Sequence, residues 1–475
     1  MSDAVVRRIK ELEAELEELR SQLKEDSGAE DETKSSSSPS DNAGRKSDGK
    51  TEGSKKHRKK TRHDRPFDFS SRARRHAALR LAYLGWDYKG FAVQENTENT
   101  VEARLFEALL KTRLIQDRQS SNYHRCGRTD KGVSAFSQVV SITLRSTQLR
   151  GGPGVTLPEN VDVGSESEAA ALPELDYAKM LNRVLPQDIR VLDWAPVEEG
   201  FSARFDCRSR TYRYYFPRGS LDVALMAEAA KRYEGTHDFR NLCKMDVGNG
   251  VLQFERTILS AAVGPAKPQH VSGTDQFDLF MFEIKGLAFL YHQVRCMMAV
   301  LLLIGQKLEA PEIVDYLLDI KNNPRKPQYS MAFDFPLVLY DCSFDGLSWK
   351  REPGEVNYVL STLQRHWTQS AVHAQVLHGM IQGLRARGGV SSDLCWLIEG
   401  SRAKKYQPLR ERPLCESLES VIQRHVKRGR LEREEGENDE EIVHRGKRSK
   451  HSQNPPSGPV PSRMPKRSVN ETAGN

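Results

Sequence analysis

The chain lacks the features that mark several protein classes. No apolar run exceeds the eight residues from Met297 to Ile304, far short of the roughly 20 needed to cross a bilayer as a helix, so no membrane span is expected. An apolar leader is also missing. Arg7, Arg8, Lys10 and a run of glutamates stand where a signal peptide needs an uninterrupted hydrophobic stretch, and secretion is not expected. The seven cysteines are odd in number and contain no CxxC pair. Neither a disulfide framework nor a four-thiolate zinc site is indicated, and the thiols read as reduced, in the cytosol or nucleus.

Large apolar side chains are scarce at both ends. Hydrophobic residues make up 37% of the 475, a deficit that falls on residues 26–75 and 432–475, which read as a disordered basic linker and a disordered tail. Between them remain enough residues for one large core or two joined ones. Lys and Arg total 72 against 65 Asp and Glu. The excess is small but concentrated: residues 55–65, KKHRKKTRHDR, hold seven Lys/Arg against one Asp, which suits a nuclear import receptor or an RNA backbone, or is a solvated linker. Before the linker, Val5, Ile9, Leu12, Leu16, Leu19 and Leu23 repeat at heptad spacing. Residues 1–25 are therefore expected to form a short coiled-coil or partner helix.

From Ala77 the pattern becomes that of a folded domain. AALRLAYLGWDYKGF reads as a strand and a loop, and Thr100 opens a helix over TVEARLFEALLKTRLI. Strands are expected over 136–145, 188–197, 210–219 and 277–286. Helices are expected over 176–186, 221–235, 289–305 and 355–387, and the Gly/Pro/Ser-rich residues 150–172 read as a surface insertion. The elements alternate without a strict βαβ rhythm, which favours an α+β fold with a largely antiparallel sheet.

Three segments carry chemistry. In YHRCGRTDKGVSAFSQVVSI, Arg128 and Asp130 sit in a Gly-bounded loop before a strand, where reactive groups are commonly presented; the same DKG is also an ordinary turn. Arg295 lies in an otherwise apolar helix, so it needs a carboxylate partner unless it snorkels to solvent. Asp130 is the candidate, and such a pair would lower the carboxyl's pKa. In the strand Thr211 to Phe216, aromatics alternate with Arg213, which suits stacking on an unpaired RNA base or simply a sheet core.

Together these segments resemble the TruA-type tRNA pseudouridine synthase family. Its GRTDxGVxA box appears from Gly127 to Ala135, its RxYxY strand at Arg210, Tyr212 and Tyr214, and its FLxHxVR helix from Phe289 to Arg295. The opening YxGxxxxGFxxQ matches Tyr83, Gly85, Gly90, Phe91 and Gln94. EGTHDFRNLCKMD (234–246) and FERTI (254–258) are most similar to the eukaryotic branch acting at positions 38 and 39 of the anticodon stem-loop. The family has Ala-Pro where MAFDFPLVLYDC (331–342) stands here, and His where Tyr291 stands.

The resemblance implies a pseudouridine synthase fold: an α+β core in two similar halves (76–200 and 201–350), with flanking helices and a central basic cleft. Residues 351–431 would be a helical extension. It also implies an isomerase needing no cofactor or metal, a tRNA partner and a tendency to dimerise, while the reduced thiols and the basic cluster suit residence in nucleus and cytoplasm. Asp130 would be the nucleophile, attacking C1′ of the ribose or C6 of the base; Arg295 would orient it. Tyr212 would stack on the base and act as a general base, and Arg128 would fill the space left by the extruded nucleotide. A sister specificity for other tRNA positions or small nuclear RNA, and an inactive RNA-binding module, are the alternatives. His237–Asp238 as a dyad and His124–Cys126 as zinc ligands read as decoys.

Overall fold

The computed structural model describes residues 67–148, 152–158, 173–267, 276–389, 397 and 405–428, with the backbone alone of 431–434 and 441–444. The heptad seam, the basic cluster and most of the 150–172 insertion lie outside these residues.

Strand β1 (Arg74–Tyr83) is buried at nearly every position, so both of its faces are covered and its apolar residues, Ala77 to Leu79 and Leu81 to Tyr83, fall on both faces instead of alternating. Helix α1 (Val101–Lys111) begins where the Thr100 hydroxyl accepts the Ala103 N–H, and it turns Leu105, Phe106 and Leu109 inward. The short β2 (His124–Arg125) leads through the GRTD loop into β3 (Ser134–Arg145). Next come β4 (Val155–Thr156), α2 (Tyr177–Asn182) and β5 (Ile189–Pro196). The second half holds β6 (Ser209–Pro217), α3 (Val223–Lys231), β7 (Gly235–Asp238), β8 (Glu255–Pro265) and β9 (Leu279–Gly286). It continues with α4 (Gln293–Gly305), α5 (Ile313–Leu318) and β10 (Leu337–Ser343). The long α6 (Pro353–Arg385) and α7 (Leu418–Lys427) follow, then β11 (Leu431–Glu434) and β12 (Glu441–His444).

Ten strands form one sheet in the order β4, β1, β3, β10, β6, β9, β8, β7, with β5 also on β1 and β2 also on β3. Its pairings are antiparallel except where β10 runs parallel to β3, at Val338 opposite Ser134 and Leu339 opposite Ala135. That single parallel contact joins the two halves, and the expected mostly antiparallel α+β architecture is what the chain adopts.

Two hydrophobic cores result. One packs α1 and α2 on β1, β3 and β5, through Leu79, Leu105, Tyr177 and Val191. The other packs α3 and α4 on β6, β8 and β9, through Tyr214, Phe216, Met226, Phe282 and Met297. Tyr212 packs against both.

Three expectations need correction. Residues 67–75, placed in the disordered linker, include the start of β1, and Phe67 draws the guanidiniums of Arg113 and Arg145 to within 5.5 and 5.4 Å of its ring. Residues 432–475, placed in a disordered tail, include most of an antiparallel β11–β12 pair, Leu431 opposite His444; the adjacent β-branched Ile442 and Val443 favour the extended backbone. Helix α4 begins at Gln293, not at Phe289, because the Gln293 side-chain oxygen accepts the Leu290 N–H at 2.8 Å and holds the preceding residues in a turn.

Candidate active site

The GRTD loop is clamped from several sides, chiefly by the residues of the opening motif. Tyr83 OH bonds Thr129 Oγ1 at 2.7 Å, Phe91 N–H donates to the Thr129 carbonyl at 3.1 Å, and Gly132 N–H donates to the Tyr88 carbonyl at 3.2 Å. Gly85 N–H donates to Ser134 Oγ at 2.9 Å, and the Gln138 amide donates to the Gly127 carbonyl at 2.9 Å. A Cβ on Gly85 would stand 1.9 Å from the Val133 carbonyl oxygen, so only glycine lets the two backbones approach. Gly132 takes φ +77° over the Asp334 carboxylate, closing a turn in which Val133 N–H donates to the Asp130 carbonyl at 3.2 Å. DKG is therefore a turn, as the plain reading had it, while its aspartate side chain faces charged groups on another element.

Those groups lie at the start of α4. Arg295 Nη1 is 3.9 Å from Asp130 Oδ2, at ion-pair but not hydrogen-bond distance, and His292 Nε2 is 3.5 Å from the same oxygen. Arg295 does not snorkel: it is 8% exposed in a helix whose thirteen residues are all buried, and its Nε donates to the Ala332 carbonyl at 2.9 Å. The Asp130 carboxyl is pushed up from 3.8 to about 6. Burial is the main cause; Arg295 pulls the other way, Asp334 adds to the rise, and Lys244 opposes it. The expectation that pairing would lower this pKa is corrected. Arg295 does act in that direction, but at 3.9 Å it does not offset desolvation. The result is a carboxylate still largely ionised at neutral pH but poorly solvated, the condition in which a weak nucleophile is strengthened.

His292 lies within the FLxHxVR motif, but nothing in the sequence alone assigns it a role. Burial, then Arg295, Lys244 and Lys326, push its imidazole down to about 4, so it faces Asp130 as a neutral ring. Its backbone is left-handed at φ 61°, a strained state for a non-glycine residue, and its buried Nδ1 has no hydrogen-bond partner. Asp334, Ala332 and Lys244 were likewise missed. The signal for the first two lay in MAFDFPLVLYDC, where the departure from the family's Ala-Pro falls on the segment that props Arg295 and Gly132.

Tyr212 stands half-buried on β6 with its ring edge-on to Phe289, centroids 5.0 Å apart, and burial drives its hydroxyl pKa well above the usual value. Asp130 adds to that rise, so the two side chains share one electrostatic environment. Tyr214 and Phe216 are core, as the plain reading of the strand held. Arg213 lies on the opposite face, 2.6 Å from Glu283 and 3.4 Å above the Tyr340 ring. Arg210 ties three segments together, donating to the carbonyls of Leu287, Cys126 and Arg204 at 2.6, 3.1 and 3.1 Å. Arg128 is exposed at the rim of the loop; burial of part of its stem and the nearby Arg125 and Arg204 lower its pKa. The fold thus brings Asp130, Tyr212 and Arg295 into one site, with Arg128 at its edge.

The decoys separate. His237 Nε2 bonds the Glu234 carbonyl while Asp238 pairs with Arg240. Cys126 groups with Cys207 and Cys342, not with His124.

A desolvated carboxylate on a rigid loop, faced by a guanidinium and a neutral imidazole with a lysine and an aromatic ring nearby, is the kind of perturbed, charged cluster that enzyme active sites are built from. The comparisons make the class particular. The family description "tRNA pseudouridine synthase" matches residues 229–345. The human tRNA pseudouridine(38/39) synthase is 53% identical over 390 residues, covering 78% of this chain and 80% of that protein. The Saccharomyces cerevisiae protein of the same name is 43% identical over 300 residues, 62% of each chain. The tRNA pseudouridine synthase A of Methanosphaerula palustris is 30% identical over 313 residues, 66% of this chain and 93% of that one. This chain belongs to the TruA-type tRNA pseudouridine synthases, which are isomerases.

Proposed function

We propose that the chain converts uridine to pseudouridine at positions 38 and 39 of the tRNA anticodon stem-loop, the positions in the names of its human and yeast relatives. The observation that carries the reading is the Asp130 carboxylate, held by the clamped loop 3.9 Å from a buried guanidinium at the seam of two cores. In this reading Asp130 is the nucleophile that attacks the extruded nucleoside. The base must detach, turn and rejoin through C5, which needs a pocket closed to water and a surface against which the free base stays stacked. Tyr212 supplies that surface; burial keeps its hydroxyl protonated, so the general-base role implied by the resemblance is left out of this reading. Arg128, exposed at the rim, enters the stem where the uridine was. Arg295 fixes the carboxylate's orientation through its anchored guanidinium.

The test is to incubate unmodified tRNA transcripts with the protein and map pseudouridine. Modification at 38 and 39 is expected, and its absence from those positions, with modification elsewhere, would move the chain to a sister specificity. Tight tRNA binding without any pseudouridine would make it a binding module.

We further propose that the active form is a homodimer. On α6, Val356, Leu360 and Trp367 near one end, and Leu377, Ile381 and Leu384 near the other, are all exposed and follow heptad spacing. Such a stripe is self-complementary across a two-fold axis. A Leu360→Glu/Leu377→Glu variant is expected to sediment as a monomer; an unchanged mass would remove this role of α6. The basic cluster at 55–65 supports residence in both nucleus and cytoplasm, and a reporter carrying these residues that never enters the nucleus would count against it.

A further inference from the structure

Three cysteines far apart in the sequence meet in the fold. Cys126 precedes the GRTD loop, Cys207 lies just before β6, and Cys342 lies on β10 opposite Arg210. All three are buried, their sulfurs lie within 4.8 Å of one another, and Cys126 Sγ is 3.3 Å from Cys342 Sγ. The isomerisation derived above uses none of them.

We infer that Cys126, Cys207 and Cys342 form a three-thiolate site for one thiophilic divalent cation of the zinc class. Zinc–thiolate bonds of about 2.3 Å around a tetrahedral ion put sulfurs about 3.8 Å apart, between the shortest contact here and the outer limit, so small side-chain rotations seat the ion. The charges also match. Binding a divalent ion releases the three thiol protons and leaves a complex of net charge −1. The Arg210 guanidinium is anchored beside the cluster by its bond to the Cys126 carbonyl at 3.1 Å, and it brings the site to neutrality. In a buried position that balance decides whether a charged site is tolerated.

Three protein ligands leave a fourth position for a solvent oxygen. The way in passes Cys207, whose neighbours Arg204, Phe205 and Asp206 are exposed. Each ligand sits on part of the catalytic apparatus: Cys126 is four residues before Asp130, Cys207 is five before Tyr212, and Cys342 lies on the strand that joins the two halves. A bound ion would fasten these three segments beneath the nucleophile loop.

The spacing rules that exclude zinc in the sequence look for ligands close together in the chain. Here the topology assembles them instead.

The test uses the full-length protein, purified under reducing conditions and equilibrated with zinc or with cobalt, its spectroscopic stand-in. One zinc per chain is expected after removal of free metal, and the cobalt form should show thiolate-to-metal charge-transfer absorption that is lost in Cys207→Ser but kept in Cys296→Ser. Should Cys207→Ser fail to fold, the unmodified protein still decides. Zinc is expected to slow alkylation of Cys126, Cys207 and Cys342, read peptide by peptide in the mass spectrometer, while leaving Cys415 unaffected. No retained zinc, a cobalt spectrum without thiolate bands, or alkylation rates indifferent to zinc would overturn the assignment. So would finding Cys126 and Cys342 joined as a disulfide in the reduced preparation.

Discussion

Replacing Asp130 by Asn should abolish pseudouridine formation and at the same time stabilise the protein. The folded carboxyl titrates at about 6 against an ordinary 3.8, so the native state binds this proton more tightly than the unfolded chain does. Stability contributed by the group is therefore greatest below pH 4 and is lost as pH rises toward 6, after which it stays level. Two pH units at about 1.4 kcal/mol each give a cost near 3 kcal/mol at neutral pH. Asparagine, neutral at every pH and nearly the same shape as the protonated acid, escapes that cost. The variant is expected to gain about 2–3 kcal/mol at pH 7, which for a domain this large raises the melting temperature by a few degrees, and to gain nothing at pH 4. Thermal unfolding of both proteins between pH 4 and 8, beside a tritium-release or mapping assay for turnover, reads both effects. The parent enzyme's rate should climb with pH through about 6. An Asn variant less stable than the parent at pH 7, or a stability gap that does not open between pH 4 and 6, would refute the claim that burial dominates at this carboxylate.

Three further substitutions test the surroundings. Arg295→Met removes a charge-assisted hydrogen bond to Ala332, at about 1.5–3 kcal/mol, together with a group that opposes the rise in the Asp130 pKa; reduced melting temperature and an acidic limb of activity moved above pH 6 are expected. If that variant melts and works like the parent, the pairing has no energetic weight. Gly85→Ala drives a methyl group into the Val133 carbonyl, and a loss above about 3 kcal/mol, or a displaced loop with kcat lowered, is expected from melting and single-turnover rates. Arg128→Ala should leave the melting temperature unchanged while slowing modification of structured tRNA more than of a single-stranded oligonucleotide holding the same uridine; equal slowing on both would detach Arg128 from base extrusion.

Much of this was legible in the sequence because the chemistry and the backbone constraints fall in contiguous motifs. The Gly-bounded box at Gly127 to Ala135 fixes the loop, and Tyr83, Gly85 and Phe91 in the opening motif proved to be its clamps. Legibility stopped where a property depends on the third dimension. The sign of the Asp130 shift turns on how far Arg295 stands from the carboxylate, and no spacing encodes a 3.9 Å gap. Helix α4 starts four residues late because one glutamine side chain captures a backbone amide, a choice that apolar periodicity cannot see. Cys126, Cys207 and Cys342 each read as an isolated reduced thiol, since nothing local announces that the fold will bring them together.

The architecture also explains how the site keeps an energetically costly carboxylate in place. Tyr83, Tyr88 and Phe91, which clamp the Asp130 loop, belong to the first core, Val294 and Met297 on either side of Arg295 belong to the second, and the sheet joins the two through the short parallel pairing of β3 with β10. Within either half alone the aspartate would have only one side of its environment and would relax toward solvent. Tyr212, packed against both cores, and Arg210, bonded to the carbonyls of Cys126 and Leu287, span that seam. Holding the halves together is therefore the same act as desolvating the Asp130 carboxylate. The large buried area of two cores supplies the stability from which the roughly 3 kcal/mol at Asp130 is drawn. A single smaller core would have less to spare, which gives a physical reason for building this chemistry across two halves.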